Sequence, residues 1–251
     1  MIKFFLKREV SDRFIGNSSA FFWLLFQPLA TLAVYYFVFG MIFKARVPEL
    51  PEHMFVAYLA AGLWPWMAFS ESVMSASQLV MNKKDLIGKV KIDIKILLFA
   101  HVTASFVLQI IGMFAVIVVL LLTGVIELHW NLMLLIIPIS VLYLLAWSLG
   151  LILSSMQVFN RDTKNIISAI FPLWFFMTPI IYSASRLPDS FAQWLFYNPL
   201  YVVVDFCQKI IVNRGELHWQ GLLLWALLSL ILLKIAVMFF NKTAPVFDDY
   251  L

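Results

Sequence analysis

Apolar positions in this chain fall in long unbroken runs, with polar positions gathered in the gaps between them. The runs are Ala20–Phe43, Met54–Val80, Ile96–Thr123, Leu132–Val158, Ile166–Tyr182 and Gly221–Phe240. A helix needs about 20 such residues to cross the hydrocarbon of a bilayer. No water is available there to satisfy loose backbone groups, so each run is expected to be helical. The pattern predicts an all-α polytopic membrane protein with six transmembrane helices in one domain. The fifth run is short and carries Pro172 and Pro179.

The gaps are as informative as the runs. Residues 1–19 hold Lys3, Lys7, Arg8 and Arg13. The stretch from Asn82 to Lys95 holds five lysines and two aspartates. The gap after the fourth run has Arg161 and Lys164, and the tail has Lys242. These segments alternate with gaps poorer in Lys and Arg, and the richer set belongs in the cytoplasm. Both termini are then expected to be cytoplasmic. Topology alone would account for the lysines of 82–95. Yet Leu86, Ile87, Val90 and Ile94 recur there at helical spacing. Such a helix could press on lipid or on a partner protein.

The gap 183–220 does not read as a solvated loop. Its centre, FAQWLFYNPLYVVVDFCQKIIV, is apolar and aromatic. Asn198-Pro199 divides it, because proline lacks an amide donor and disfavours helix in the residue before it. Two half-helices, Phe191–Tyr197 and Leu200–Ile211, are expected to dip into the outer leaflet and return. Such backbone is tolerated where it packs on protein or lines a cavity. A surface-lying amphipathic loop is the alternative.

Composition excludes several classes. Of 251 residues, 63% are hydrophobic and 13% charged, and the mean hydropathy is +0.93. One domain core cannot bury that much apolar surface, so much of it must face lipid. The net charge of +4 reflects topology and not nucleic-acid binding. One cysteine, Cys207, excludes an intrachain disulfide, and His53, His101, His129 and His218 are too scattered for a zinc motif. No phosphate-binding loop, nucleophile elbow or intramembrane aspartate pair is present. The chain is not expected to be an enzyme or to hydrolyse ATP. Glu71 stands inside the second run, where a carboxylate is costly and marks either a polar contact or an offset span. His101 and Gln109 in the third run read as interhelical hydrogen-bonding groups.

Several short motifs, taken in order, resemble the membrane subunit of ABC-2 type exporters, specifically the O-antigen and capsular polysaccharide permeases. LWPWMAFSESV contains Trp64, Trp66 and a following Ser-Glu. Then come Asn82, Leu86-Ile87 and Lys89-Val90. FNRDTKN carries Arg161-Asp162. TPIIYSASRLP carries Pro179, Tyr182 and Leu187-Pro188, and YNPLYVVVD carries Asn198, Pro199, Leu200 and Asp205. The chain departs from the family at Lys91-Ile92-Asp93, where an aromatic-Pro pair is common, and at Gln208, where Arg is common.

The resemblance implies a homodimer forming a channel, joined to two copies of a separate cytoplasmic ATPase that binds ATP and magnesium. This chain would carry no cofactor. It implies export of lipid-linked polysaccharide across a bacterial inner membrane, with teichoic acid or a small lipophilic drug as alternative cargo. A membrane enzyme or assembly factor acting on lipid-linked sugars is the reading from another class. Residues 1–19 would be an interface segment, 82–95 the coupling loop docking the ATPase through Asn82, Leu86, Ile87, Lys89 and Val90, and 183–220 a periplasmic gate. Trp64, Trp66, Pro179, Tyr182, Trp194, Tyr197, Asn198, Pro199, Tyr201 and Asp205 would mark the gate or path. Aromatic rings suit sugar C–H faces, and phenol and indole tips suit hydroxyls; lipid-facing and interfacial belts account for many of the aromatics.

Overall fold

In the computed structural model the described residues are 2–12, 20–48, 50–84 and 93–250, and they are overwhelmingly helical, with no strand among them. Helix α1 spans Ile2–Asp12 and α2 spans Ala20–Tyr35, continued by a π-helical segment, Tyr36–Ile42. Helix α3 is Phe55–Asn82, α4 is Ile94–Leu122, and α5 is Ile136–Phe159 with a 3-10 lead-in, Trp130–Leu135. Helix α6 is Thr163–Met177, α7 is Asp189–Leu195, α8 is Pro199–Val212 and α9 is Trp219–Thr243.

Among the described residues, four stretches are long and apolar enough to cross a bilayer: Leu25–Ile42, Ile94–Leu122, Trp130–Phe159 and Trp219–Phe247. Helix α3 has 28 residues, about 42 Å of rise. It is more polar than those four and forms the centre of the fold. Helix α6 has 15 residues, about 22 Å, against a hydrocarbon core of about 30 Å.

The expected fifth run, Ile166–Tyr182, is shifted in the fold. Its helix starts at Thr163, just past the turn at Asn160, and includes Pro172. It ends at Met177 because Thr178 is extended (φ −103°, ψ 123°) ahead of Pro179, the geometry a following proline favours. The gap between α3 and α4 is also shorter than 82–95 at both ends. Helix α3 runs through Asn82, and α4 starts at Ile94 with Asp93 capping it by accepting from Lys95 N at 2.9 Å.

Lipid is as apolar as leucine, so helix association in it depends on close fit and hydrogen bonds. Helix α3 supplies the fit with a small-residue surface: Ala57, Ala60, Ala61, Ala68, Ser72, Ala76 and Ser77 are all buried. Helices α4, α5 and α8 pack around it. At Gly150 of α5 an added Cβ would lie 3.1 Å from Ala76 Cβ, so α3 and α5 approach closely at that glycine. Helix α2 with its π-helical continuation and α6 are peripheral and keep large apolar residues exposed, among them Phe37, Met41, Leu173 and Phe176.

Alternation of the long helices defines two ends. The base holds α1, the α3–α4 and α5–α6 connections and the C-terminal 3-10 segment Ala244–Asp249, whose Phe247 packs on Phe159. The far end holds the α2–α3 and α4–α5 connections and the α6–α9 segment.

Candidate functional site

Midway between the ends, α2, α3 and α6 enclose a lateral groove of about 560 Å³. Its wall is aromatic. Trp66 of α3 meets Phe171 and Phe175 of α6 with ring centroids 6.0 and 5.5 Å apart. Tyr35 of α2 meets Phe175 at 6.3 Å, and behind the wall Phe69 meets Trp174 at 5.5 Å. Ser70, Glu71 and Ser168 add polar groups to this wall. Glu71 is half-buried, and its carboxylate accepts from the side-chain amide of Gln109 on α4. A carboxylate at this depth needs a donor, and α4 supplies one across the α3 interface. Trp64, two residues before Trp66, points elsewhere: it is fully buried in the core beside Gly112.

At the far end the apolar segment 183–220 is a helical hairpin. Asn198 sits at its apex, and its side chain makes three bonds. Oδ1 accepts from Leu200 N at 3.1 Å, capping α8 ahead of Pro199, and from Trp174 Nε1 at 3.0 Å. Nδ2 donates to Thr178 Oγ1 at 3.0 Å. One amide thus starts α8 and fixes it to the end of α6. The apex lies well inside the helical layer. Trp225 Nε1 donates to Phe196 O at 3.1 Å, and Trp225 is about 9 Å along α9 from its first residue, Trp219. From there α8 climbs back, with Phe206 meeting Trp219 at 4.9 Å. Asn213 then ends the helix in a left-handed conformation (φ 53°) and accepts from Asn131 at 3.0 Å.

Further links tie both the hairpin and α3 to the connection that follows α6. Gln208 is buried and donates from Nε2 to Pro179 O at 3.3 Å. Tyr58 of α3 donates to Tyr182 O at 3.1 Å, and Tyr182 donates to Phe176 O at 2.8 Å. Gly62 packs closely under Gln208: an added Cβ would stand 2.9 Å from its Nε2 and 3.3 Å from Ile180 Cα. Asp205 pairs with Lys209 one turn on, at 2.8 Å. Tyr201 is half-buried, whereas Trp194 and Tyr197 of the descending arm are exposed.

The base carries a contrasting cluster. Glu9 of α1 is 6% exposed. Its carboxylate takes Lys83, just past α3, on one oxygen and His101 Nδ1 of α4 on the other, the latter at 2.7 Å. Burial pushes the Glu9 carboxyl up, but the hydrogen bonds and charges of His101 and Lys83 outweigh it and hold the group at about 2, against 4.5 ordinarily. Sequence reasoning counted only the cations of this arm and missed Glu9. A signal was present: Phe5 and Glu9 are four apart, so an acid shares the apolar face of an amphipathic helix. Among the residues expected to dock an ATPase, Asn82 is exposed at the end of α3, while Leu86, Ile87, Lys89 and Val90 lie outside the described residues. Arg161 and Asp162 are exposed at the base in the α5–α6 turn, where Gln157 accepts from Lys164 N at 2.7 Å and donates to Arg161 O at 3.1 Å. No group of three or more potential metal ligands occurs among the described residues.

Comparison with known proteins gives consistent findings. Residues 2–212 match the family model described as ABC-2 type transporter. The chain is 28% identical over 248 residues to the O-antigen export system permease protein RfbA of Myxococcus xanthus, covering 97% of this chain and 92% of that one. It is 23% identical over 250 residues to the RfbA permease of Klebsiella pneumoniae, with the same coverage. It is 20% identical over 217 residues to the polysialic acid transport protein KpsM of Escherichia coli, covering 82% of this chain and 78% of KpsM.

Proposed function

The chain belongs to the ABC-2 type transporter family, and from that premise we propose that it is the channel-forming permease subunit of an ATP-driven exporter of lipid-linked polysaccharide. The observation that carries the reading is end-to-end likeness to O-antigen export permeases, over 97% of this chain. A likeness of that extent covers the spans, the connections and the hairpin together.

Six crossings of the bacterial inner membrane, counting α3 and the short α6, put both termini in the cytoplasm with the lysine-rich gaps. The base is then cytoplasmic and the far end periplasmic. ATP and magnesium belong to a separate ATPase, two copies of which dock on the 82–95 connection. A second copy of this chain faces the exposed sides of α2 and α6, so that two aromatic grooves line one path. Aromatic walls let pyranose C–H faces slide without strong binding, while Glu71 and the serines meet hydroxyls. The α7–α8 hairpin is a re-entrant gate on the periplasmic side.

Deletion of the chain in its native host tests the reading. The expected result is loss of surface polysaccharide with lipid-linked polymer accumulating inside the inner membrane, both reversed by plasmid-borne copy. Unchanged surface polysaccharide in the deletion strain overturns it.

A further inference from the structure

Helix α1 packs along the first turns of α4, and its depth follows from that contact. Helix α4 has 29 residues, about 43 Å of rise, enough to span both headgroup layers as well as the hydrocarbon. His101, which bonds Glu9 of α1, stands seven residues past Ile94, about 10 Å along α4. That level is the boundary between headgroups and acyl chains, so α1 runs through the headgroup layer. We propose that the outward face of α1 is a docking surface for phospholipids with net-anionic headgroups, the chemistry of phosphatidylglycerol, in the leaflet around the base.

The sidedness of α1 selects this partner. A free interfacial helix turns its apolar face to the acyl chains. In α1 that face is spent on protein: Phe5 is buried and Leu6 half-buried in the base core, and Glu9 is turned to Lys83 and His101. Lys7, Arg8 and Ser11 are exposed on the opposite side. The local charge balance is positive. Residues 1–13 and 82–85 carry Lys3, Lys7, Arg8, Arg13, Lys83 and Lys84 against Glu9, Asp12 and Asp85, six cations to three acids. Long Lys and Arg stems let a charge reach phosphate oxygens from a helix at the boundary. Each cation near an anionic leaflet strengthens such attraction about 5-fold. Phosphatidylethanolamine and phosphatidylcholine carry a cation beside their own phosphate, so they gain far less. An ATPase on the cytoplasmic side is the other partner available at the base, but the level of His101 sets α1 beside headgroups and not below them.

The test uses the purified full chain in phosphatidylcholine nanodiscs, with a bimane fluorophore on Ser11→Cys in a Cys207→Ser background. Phosphatidylglycerol or phosphatidylcholine with a nitroxide at the top of the acyl chain is added at equal mole fraction, and quenching is read. The phosphatidylglycerol probe should quench more strongly. Lys7→Gln should lower that preference by up to about 5-fold, and Lys7→Gln with Arg8→Gln should lower it further. The charge-preserving pair Lys7→Arg with Arg8→Lys should keep it, as should Lys164→Gln on α6. Millimolar inorganic phosphate at constant ionic strength should leave it unchanged. Equal quenching by the two lipids, or a preference unaltered in the double Gln variant, overturns the docking surface. Loss of the preference to inorganic phosphate makes this a site for free anions and overturns lipid docking. Quenching by neither lipid sets α1 away from the membrane and overturns it too. None of these readings involves the cargo, so the export role stands or falls separately.

Discussion

The base and the far end are fastened by different chemistry. At the base one buried carboxylate, Glu9, joins segments 74 and 92 residues away through Lys83 and His101. At the far end one neutral amide, Asn198, joins partners only 2, 20 and 24 residues away. Breaking a buried charge cluster leaves uncompensated charge, whereas each neutral bond exchanges with water at about 1 kcal/mol net. The contrast makes the base the more firmly held end and the α7–α8 hairpin the more easily loosened one, which suits the proposed roles of ATPase docking and gating.

The comparison breaks first at Glu9. Glu9→Leu leaves Lys83 and His101 without their shared acceptor. It should cost ~3 kcal/mol, read as lowered thermal stability of the purified chain. A smaller loss than that of Asn198→Ala would reverse the contrast. Acid offers the same test without mutation. The Glu9 carboxyl is depressed in the folded state, so its contribution is fully present above its unfolded value of 4.5 and is lost as pH falls toward about 2. Up to ~3 kcal/mol is at stake across that window. Amide exchange in α1 should accelerate there in wild type but not in Glu9→Leu. Identical acid profiles for the two proteins would remove Glu9 as the anchor.

At the far end, Asn198→Ala removes the α8 cap and leaves Trp174 Nε1 and Thr178 Oγ1 without this partner. The expected cost is ~2 kcal/mol, with faster hydrogen exchange confined to residues 189–212. Asn198→Asp keeps the oxygen that caps α8 and accepts from Trp174, and should lose about half as much. Equal losses for Ala and Asp would mean that the oxygen contributes nothing. Smallest of all, Trp225→Phe removes one bond to Phe196 O, for about 1 kcal/mol, and should loosen the apex without shifting the base. Faster exchange in α1 would contradict the separation of the two ends.

Some of this was legible in the residues. Continuous apolar runs located the long helices because a crossing segment leaves no room for polar punctuation. Asn198-Pro199 located the break between α7 and α8 because proline acts on its own backbone neighbours. The boundaries of α6 were misjudged for a related reason: Pro172 is accommodated within the helix, and only Pro179, acting on Thr178, ends it. The tertiary links were not legible. Periodicity gives the face on which Glu9 or Gln109 lies, but not which helix faces it, and the partners of Glu9 lie 74 and 92 positions away. Trp64 and Trp66 look equivalent in sequence, yet a two-residue step turns a helix by about 200°, which puts one in the core and the other on the groove.

The central claim is that the α7–α8 segment enters and leaves on the periplasmic side, opposite an anchored cytoplasmic base. Single cysteines at Ser190, Glu216 and Lys242, each in a Cys207→Ser background, test it with a membrane-impermeant thiol reagent applied to intact spheroplasts. All three parent positions are exposed in the fold. The account predicts labelling of Ser190→Cys and Glu216→Cys from outside, and of Lys242→Cys only after the membrane is opened. Labelling of Glu216→Cys only after opening would show that the segment crosses, and would contradict both the gate and the orientation of the base.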